Sequence, residues 1–366
     1  MLRVAGPADL SRLIGAWEAL HADDPMWVPP LWAWAGPALK RALSDQNSFV
    51  MHILEDGGRV LATASAQRGG PKEAGLVWMG HLEAPDGDSA AAVLDAVRET
   101  ARGWGADTLK GPRNLSRFEF VGLTVDGFEH LPPMLQGQHP PEARSWVEAA
   151  GYTAHHDHLA YHTPLVEADG RPRALPPRLA EKAASCAVSD LTFRRARRRR
   201  GDRDLIDAHT VLNAAYATVP DIHPMPRAQF LGICRAVLAL GHPELIQLGY
   251  VKDRPVAFAV CVPEVNEVLC HLRGRLWPLG WLRLLRHWSG IRTAAFKLIG
   301  VVPELRGTGV HAALIAEVVK GAQRAGFERM DGSVIDERNR PMRGVVEGAG
   351  MEVYRRYRVF SRSVQG

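Results

Sequence analysis

Cysteine is scarce: the 366 residues hold four, at positions 186, 234, 261 and 270. None forms a Cys-x-x-Cys pair, so a standard zinc finger and a disulfide framework are both excluded. Buried, reduced thiols of an intracellular protein are expected instead. Long apolar runs are missing too. A membrane helix needs about 20 such residues. The nearest approach, residues 276–290, is broken by Pro278, Gly280, Gly290, Arg283 and Arg286. The first ten residues lack the basic region and apolar run of a signal peptide. A soluble cytoplasmic protein with no membrane partner is therefore expected. Strong charge of one sign is also absent. A net charge of +5 over this length admits anionic ligands without demanding nucleic acid.

What is present fits two folded domains, at roughly 100–200 residues each. Hydrophobic residues make up 46% and charged residues 23%, which is enough apolar material for two cores. Two segments repeat one supersecondary order. Ala294–Val302 predicts a strand, and Leu314, Ile315, Val318, Val319 and Ala322 recur at helical spacing until Gly326. Phe327–Ile335 predicts the next strand. In the first half, Leu76–Leu82 predicts a strand, Val93, Leu94, Val97, Ala101 and Trp104 a helix, and Thr108 opens the strand that follows. Farther on, Arg144…Glu148…Gly151 parallels Arg343…Glu347…Gly350, each predicting a helix, a glycine stop and a strand. Two matches in one order argue for duplication. The expected architecture is α/β (α+β), with two tandem domains at 1–165 and 191–366. Each is a mixed central sheet flanked by helices. A proline-marked linker spans 166–190.

The chemistry concentrates in Pro303-Glu304-Leu305-Arg306-Gly307-Thr308-Gly309, between a predicted strand and a helix. Glycines 307 and 309 allow close backbone approach and positive φ. The N–H groups that open the helix lack intrahelical acceptors, and the helix dipole adds to their pull on an anion. Arg306 supplies a direct phosphate contact. These residues resemble the acyl-CoA loop of the GNAT acyltransferase superfamily, Arg/Gln-x-x-Gly-x-Gly/Ala. Arg306 and Gly309 fit it, Val301-x-Pro303 fits its lead-in, and His311 departs from its last position. The equivalent loop of the first half, Glu83-Ala-Pro-Asp-Gly-Asp88, is acidic and would repel a pyrophosphate. CoA is expected in the second half only.

Over nearly its whole length the chain also looks like a family of tandem-GNAT bacterial proteins. The carriers are Asp24-Pro-Met-Trp-Val-Pro-Pro30, Gly111-Pro-Arg-Asn114-x-Ser116, Gly122-Leu-x-Val-Asp126-Gly-Phe128, Glu337-x-Asn339-x-x-Met342 and Tyr354-Arg-Arg-Tyr357-Arg. After Phe128 that family continues to Asn-Pro-x-Tyr-Tyr, where this chain has His139-Pro140-Pro141-Glu142-Ala143.

The resemblance implies an acyl-CoA, acetyl-CoA first, whose thioester lies beside a splayed strand. The amine of a small metabolite or amino-acid-like acceptor would attack it directly. Val301 and Val302 would polarise the thioester carbonyl through main-chain N–H groups. Arg306, Gly307, Thr308, Gly309, Val310 and His311 would hold the pyrophosphate, and Asn339 the CoA arm. The tyrosine that usually protonates the thiolate is replaced by Val346. Tyr354, with Glu337 and His271 as bases, are the catalytic candidates. A Fem-like aminoacyl-tRNA transferase and a non-catalytic CoA-binding module are the alternatives.

Three further features compete for a role. Arg194–Arg200 is a basic run, read as a solvated strand end because Asp202, Asp204 and Asp207 follow it. Trp277, Trp281 and Trp288, among Arg275, Arg283 and Arg286, predict an amphipathic surface helix or an inserted helix lining the acyl or substrate cleft; the second is preferred because the cluster precedes the CoA strand. Histidines 155, 156, 158 and 162 cluster, with 155 expected on the opposite strand face from the other three. They are not expected to bind metal.

Overall fold

The computed structural model describes residues 1–115, 120–197, 202–217, 225–240, 242–272 and 279–365. In chain order, the first half contains β1 (Leu2–Val4), α1 (Leu10–Leu20), α2 (Trp32–Leu43), β2 (Phe49–Asp56), β3 (Arg59–Arg68) and β4 (Leu76–Glu83). It continues with α3 (Gly87–Gly103), β5 (Thr108–Gly111), β6 (Leu123–Asp126), α4 (Ala143–Ala149) and β7 (Thr153–Pro164). Next come α5 (Pro177–Ala184), β8 (Leu191–Arg195), α6 (Arg203–Tyr216), α7 (Arg227–Leu240), β9 (Ile246–Val251) and β10 (Arg254–Pro263). The chain ends with α8 (Asn266–Leu269), α9 (Gly280–Trp288), β11 (Thr293–Val301), α10 (Val310–Arg324), β12 (Arg329–Asp336), α11 (Arg340–Gly348) and β13 (Glu352–Ser363).

Local sequence explains the elements that frame the site. The apolar stripe of α10 buries Val310, Leu314, Val318 and Ala322 completely, against β9, β10 and β11. Helix α3 does the same with Val93, Leu94, Val97 and Ala101 beneath β2, β3 and β4. The segment expected as a bare linker contains α5, opened by Pro176 and Pro177 and packed along α10.

The strand order is β1-β2-β3-β4-β5-β13-β7-β12-β11-β10-β9-β8, with β6 pairing β13 beside it. Two parallel pairs, β4 with β5 and β11 with β12, occupy equivalent places in the two halves. The last strand of each half has crossed over. β13 pairs β5 of the first half, and β7 pairs β12 of the second, so the halves share one sheet. Arg355 locks this exchange. It lies on β13 with no exposed surface. Its guanidinium donates to Gly127 O (3.1 Å), His130 O, Thr124 Oγ1 (3.3 Å) and Gln138 Oε1, all first-half atoms.

Candidate active site

Strands β11 and β12 pair only from Thr293 to Phe296 and from Arg329 to Gly332, and then part. Val302 N donates to Val256 O at 3.0 Å, on the β10 side. Alternation along the strand therefore turns the Val301 N–H toward the gap beside β12. Of the two valines it is therefore Val301 whose amide faces that gap, since the Val302 N–H is taken by Val256 O. Beyond them, Pro303–Leu305 forms a single 3-10 turn, and Thr308 Oγ1 donates to Leu305 O at 2.7 Å. Gly307 and Gly309 take φ of +79° and +90°, which side-chain-bearing residues rarely adopt. A Cβ on Gly309 would also lie 2.9 Å from Cys186 Cα. Helix α10 starts at Val310, and the Ala313 N–H reaches back to Gly309 O. The amides before it lack an acceptor within the helix, the arrangement that favours an anion. Arg306 is held at the loop by a bond to Ala215 O of α6. His311 sits in the first helical turn. Burial, and then the nearby Arg306 charge, lower its pKa and keep the imidazole neutral.

The remaining sequence-derived candidates lie apart from this cradle. Asn339 is exposed and caps α11, its Oδ1 accepting from Met342 N at 3.2 Å. Glu337 Oε1 accepts from Asp157 N, and Glu337 N donates to Asp157 O, both at 2.9 Å, fixing the β7–β12 edge. His271 is exposed after α8, with its ring 5.5 Å from that of His287. Tyr354 is half-buried, donates to Asp331 Oδ2 at 2.5 Å and stacks on His162.

Tyr354 thereby belongs to a buried polar group that sequence reasoning missed. Glu264, at the end of β10, accepts from Met134 N (2.9 Å) and Asn266 N (3.1 Å). Lys297 Nζ donates to Met134 O at 3.2 Å. Burial pushes the Glu264 carboxyl up to about 7 against the pull of Lys297, and it raises Asp331 in the same way. Asp331 Oδ1 is buried without a hydrogen-bond partner. The signal was a charged residue interrupting an apolar strand, as in Ala294-Ala-Phe-Lys297-Leu-Ile and Met330-Asp331-Gly.

The first-half counterpart is built differently. Asp86 caps α3, its Oδ1 accepting from Ser89 N at 2.8 Å where a phosphate oxygen would otherwise sit. Around the end of β4 lies a mainly apolar cavity of about 250 Å³, lined by Trp17, Trp27, Trp32, Leu115 and Leu135, with Leu269 of α8. His81 and Glu83 supply its polar end, and Glu83 Oε2 lies 2.6 Å from His21 Nε2.

Of the basic run, Arg194 pairs with Asp204 (2.7 Å) and Asp207 (3.6 Å), and Arg195 with Glu244. Arg198–Arg200 lie outside the described residues, as do Arg275 and Trp277. Helix α9 does not insert into the cleft. None of its residues is buried, and Trp281 is 45% exposed. One expectation for the histidines is corrected. Residue 155 is an extra residue in the β7–β13 register, a bulge that swings its ring against His156 instead of to the other face. The fold also brings an acidic partner, Asp336 of β12, to His156 and His158.

No family model matches the chain. A bacterial ceramide synthase from Caulobacter vibrioides is 27% identical over 384 residues, covering 100% of this chain and 97% of that protein. Protein YghO of Escherichia coli is 26% identical, covering 97% and 93%. Among solved structures, a tandem GNAT protein from the clavulanic acid biosynthesis pathway matches with a TM-score of 0.56 at 13% identity, covering 100% and 98%. A GCN5-related N-acetyltransferase from Sphaerobacter thermophilus matches with a TM-score of 0.50 at 16% identity, covering 100% and 95%. The chain has the tandem GNAT fold.

Proposed function

We propose that this tandem GNAT-fold chain is an N-acyltransferase that takes a long-chain acyl group from acyl-CoA and joins it to the amine of a long-chain base. The observation that carries acyl-CoA use is the open anion cradle of Arg306–His311 at the end of splayed β11. A long-chain acceptor replaces the small metabolite expected from sequence. Two things support this choice: the ceramide synthase among the relatives, and the tryptophan-lined cavity that α8 closes from the second half.

The neutral amine attacks the thioester carbonyl carbon. The oxyanion that forms is held by the Val301 N–H, and collapse expels the CoA thiolate. The amine must lose a proton. We assign that proton to Glu264, whose carboxyl is near neutrality and whose neighbours Met134 and Asn266 line the cavity. Once the base has ionised, its pull on the amine proton drives the step, so activity should rise with pH through about 7.

Calorimetry with CoA, followed by free-thiol release from palmitoyl-CoA with sphinganine, tests the proposal. We expect CoA binding that Arg306→Glu weakens about 100-fold, since a charge-assisted contact becomes a repulsion. We expect faster thiol release with the long-chain pair than with acetyl-CoA and small amines. Glu264→Gln should lower kcat and flatten the acidic limb of its pH profile. Absence of CoA binding would overturn the acyl-CoA reading. Binding without thiol release would leave a CoA-binding module.

A further inference from the structure

We propose that His156, His158 and Asp336 form a site for a tetrahedrally coordinated divalent transition metal, with zinc the best match. The two Nε2 atoms lie 3.2 Å apart, and His156 Nε2 is 3.6 Å from Asp336 Oδ2. Ligand atoms about 2.0–2.1 Å from a tetrahedral zinc stand about 3.3–3.4 Å from one another, so both separations are close to edges of that tetrahedron. The supporting contacts are those of a ligand set. His156 Nδ1 faces His155 Nδ1 at 2.6 Å, which orients the ring and leaves Nε2 for the ion. Arg338 donates to both Asp336 oxygens, at 2.9 and 2.5 Å, and each keeps a further lone pair.

Three protein ligands leave one position open. It faces a cavity of about 480 Å³ that spans the exchanged-strand seam. Lys72, Lys110, Arg113 and Arg338 line that cavity, so the fourth ligand would be water or a small anion. The ion would also tie β7 to β12 across the exchange.

Chelator-treated full-length chain titrated with Zn2+ against a chromophoric chelator, with Co2+ absorption as a second readout, tests the site. We expect one ion per chain, a tetrahedral cobalt spectrum and a zinc-dependent rise in Tm. His158→Gln and Asp336→Asn should each weaken binding about 100-fold or more while leaving the metal-free Tm near wild type. Binding unchanged in a His156→Gln, His158→Gln double variant would overturn the site. So would affinity no tighter than about 100 μM, which is only about 5.5 kcal/mol of binding and too weak for a built three-ligand site.

A different surface carries a second proposal. Helix α9 packs Leu284 and Trp288 inward, while Leu279 (60% exposed), Trp281, Leu282 and Leu285 (65% exposed) face solvent. Arg283, Arg286 and His287 flank that apolar face, and the helix has no acidic residue. We infer that α9 lies on an anionic lipid surface, apolar face inserted and cations at the headgroups. Its neighbour α8 lines the apolar cavity, so a membrane-borne substrate would arrive beside its site. Cosedimentation with phosphatidylglycerol–phosphatidylcholine vesicles should exceed that with phosphatidylcholine alone. Leu282→Glu with Leu285→Glu should abolish it, and Arg283→Gln with Arg286→Gln should remove the preference for anionic lipid. Vesicle binding unchanged by either pair would overturn the inference. So would a dimer that the leucine variant dissociates, because a second copy would then cover the face.

Discussion

Helices α3 and α10 begin at equivalent places in the two halves, each just after the strand that opens a splayed parallel pair. They differ in what meets the first turn. In α3 the carboxylate of Asp86 occupies the free amides. In α10 those amides follow two positive-φ glycines and a tethered arginine. The first half has in effect supplied its own anion, while the second half leaves that place to a ligand. The lesson is that a carboxylate from the chain itself can take up the free amides at a helix start without disturbing the helix behind it. What the first half keeps is the gap, filled by an apolar cavity instead of a CoA arm.

The exchanged strands give the contrast with the largest expected effect. Counted from the glycine stops, Arg355 stands at Gly350 plus five and His156 at Gly151 plus five. One position thus holds a buried lock, and its repeat holds a metal ligand. Arg355→Leu strands four first-half acceptors at once and should cost about 3 kcal/mol or more in chemical denaturation. A cost under about 1 kcal/mol would show that the seam does not depend on this side chain.

Next comes the loop itself. Gly307→Ala meets only the left-handed backbone, at roughly 1–2 kcal/mol. Gly309→Ala meets that and the Cys186 backbone. It should therefore lower Tm further and weaken CoA binding as well. Equal effects would mean that the segment after α5 is not seated on the loop.

The cavity end of the first half predicts a pH dependence. Burial alone would lower the His21 pKa, but the Glu83 carboxylate outweighs it and leaves it raised. The pair's contribution is then whole below the unfolded value of about 6.5 and is lost as pH rises through the higher folded value. The Tm difference between wild type and Glu83→Gln should accordingly shrink above about pH 6.5. A difference that is constant with pH would place His21 outside the pair.

The smallest effect is expected from Asp86→Ala, a slight fall in Tm from the lost cap with no gain of CoA affinity. A gain would show that the carboxylate alone separates the two halves.

Much of the fold was legible because periodicity is local. The strands at β4, β7, β11, β12 and β13 and the apolar stripes of α3 and α10 follow from spacing within one segment. Strand exchange was not legible, since either last strand carries a pattern that suits either neighbour. The cradle at Arg306–His311 was readable for the same local reason. Glu264, Lys297 and Asp331 were not grouped, because they come from three strands and meet only when the sheet forms. Asp336 was missed as a partner of His156 for that reason too, being 180 residues away in the chain.

The crossed strands bear on how such a chain is made and how it arose. When the ribosome has finished β7, the first-made half still lacks the strand that will lie beside β5, and that strand is made only after β8 to β12. A single copy of the repeat would face the same gap and could fill it only from another copy. The tandem chain is, in construction, a dimer whose two subunits have been joined end to end.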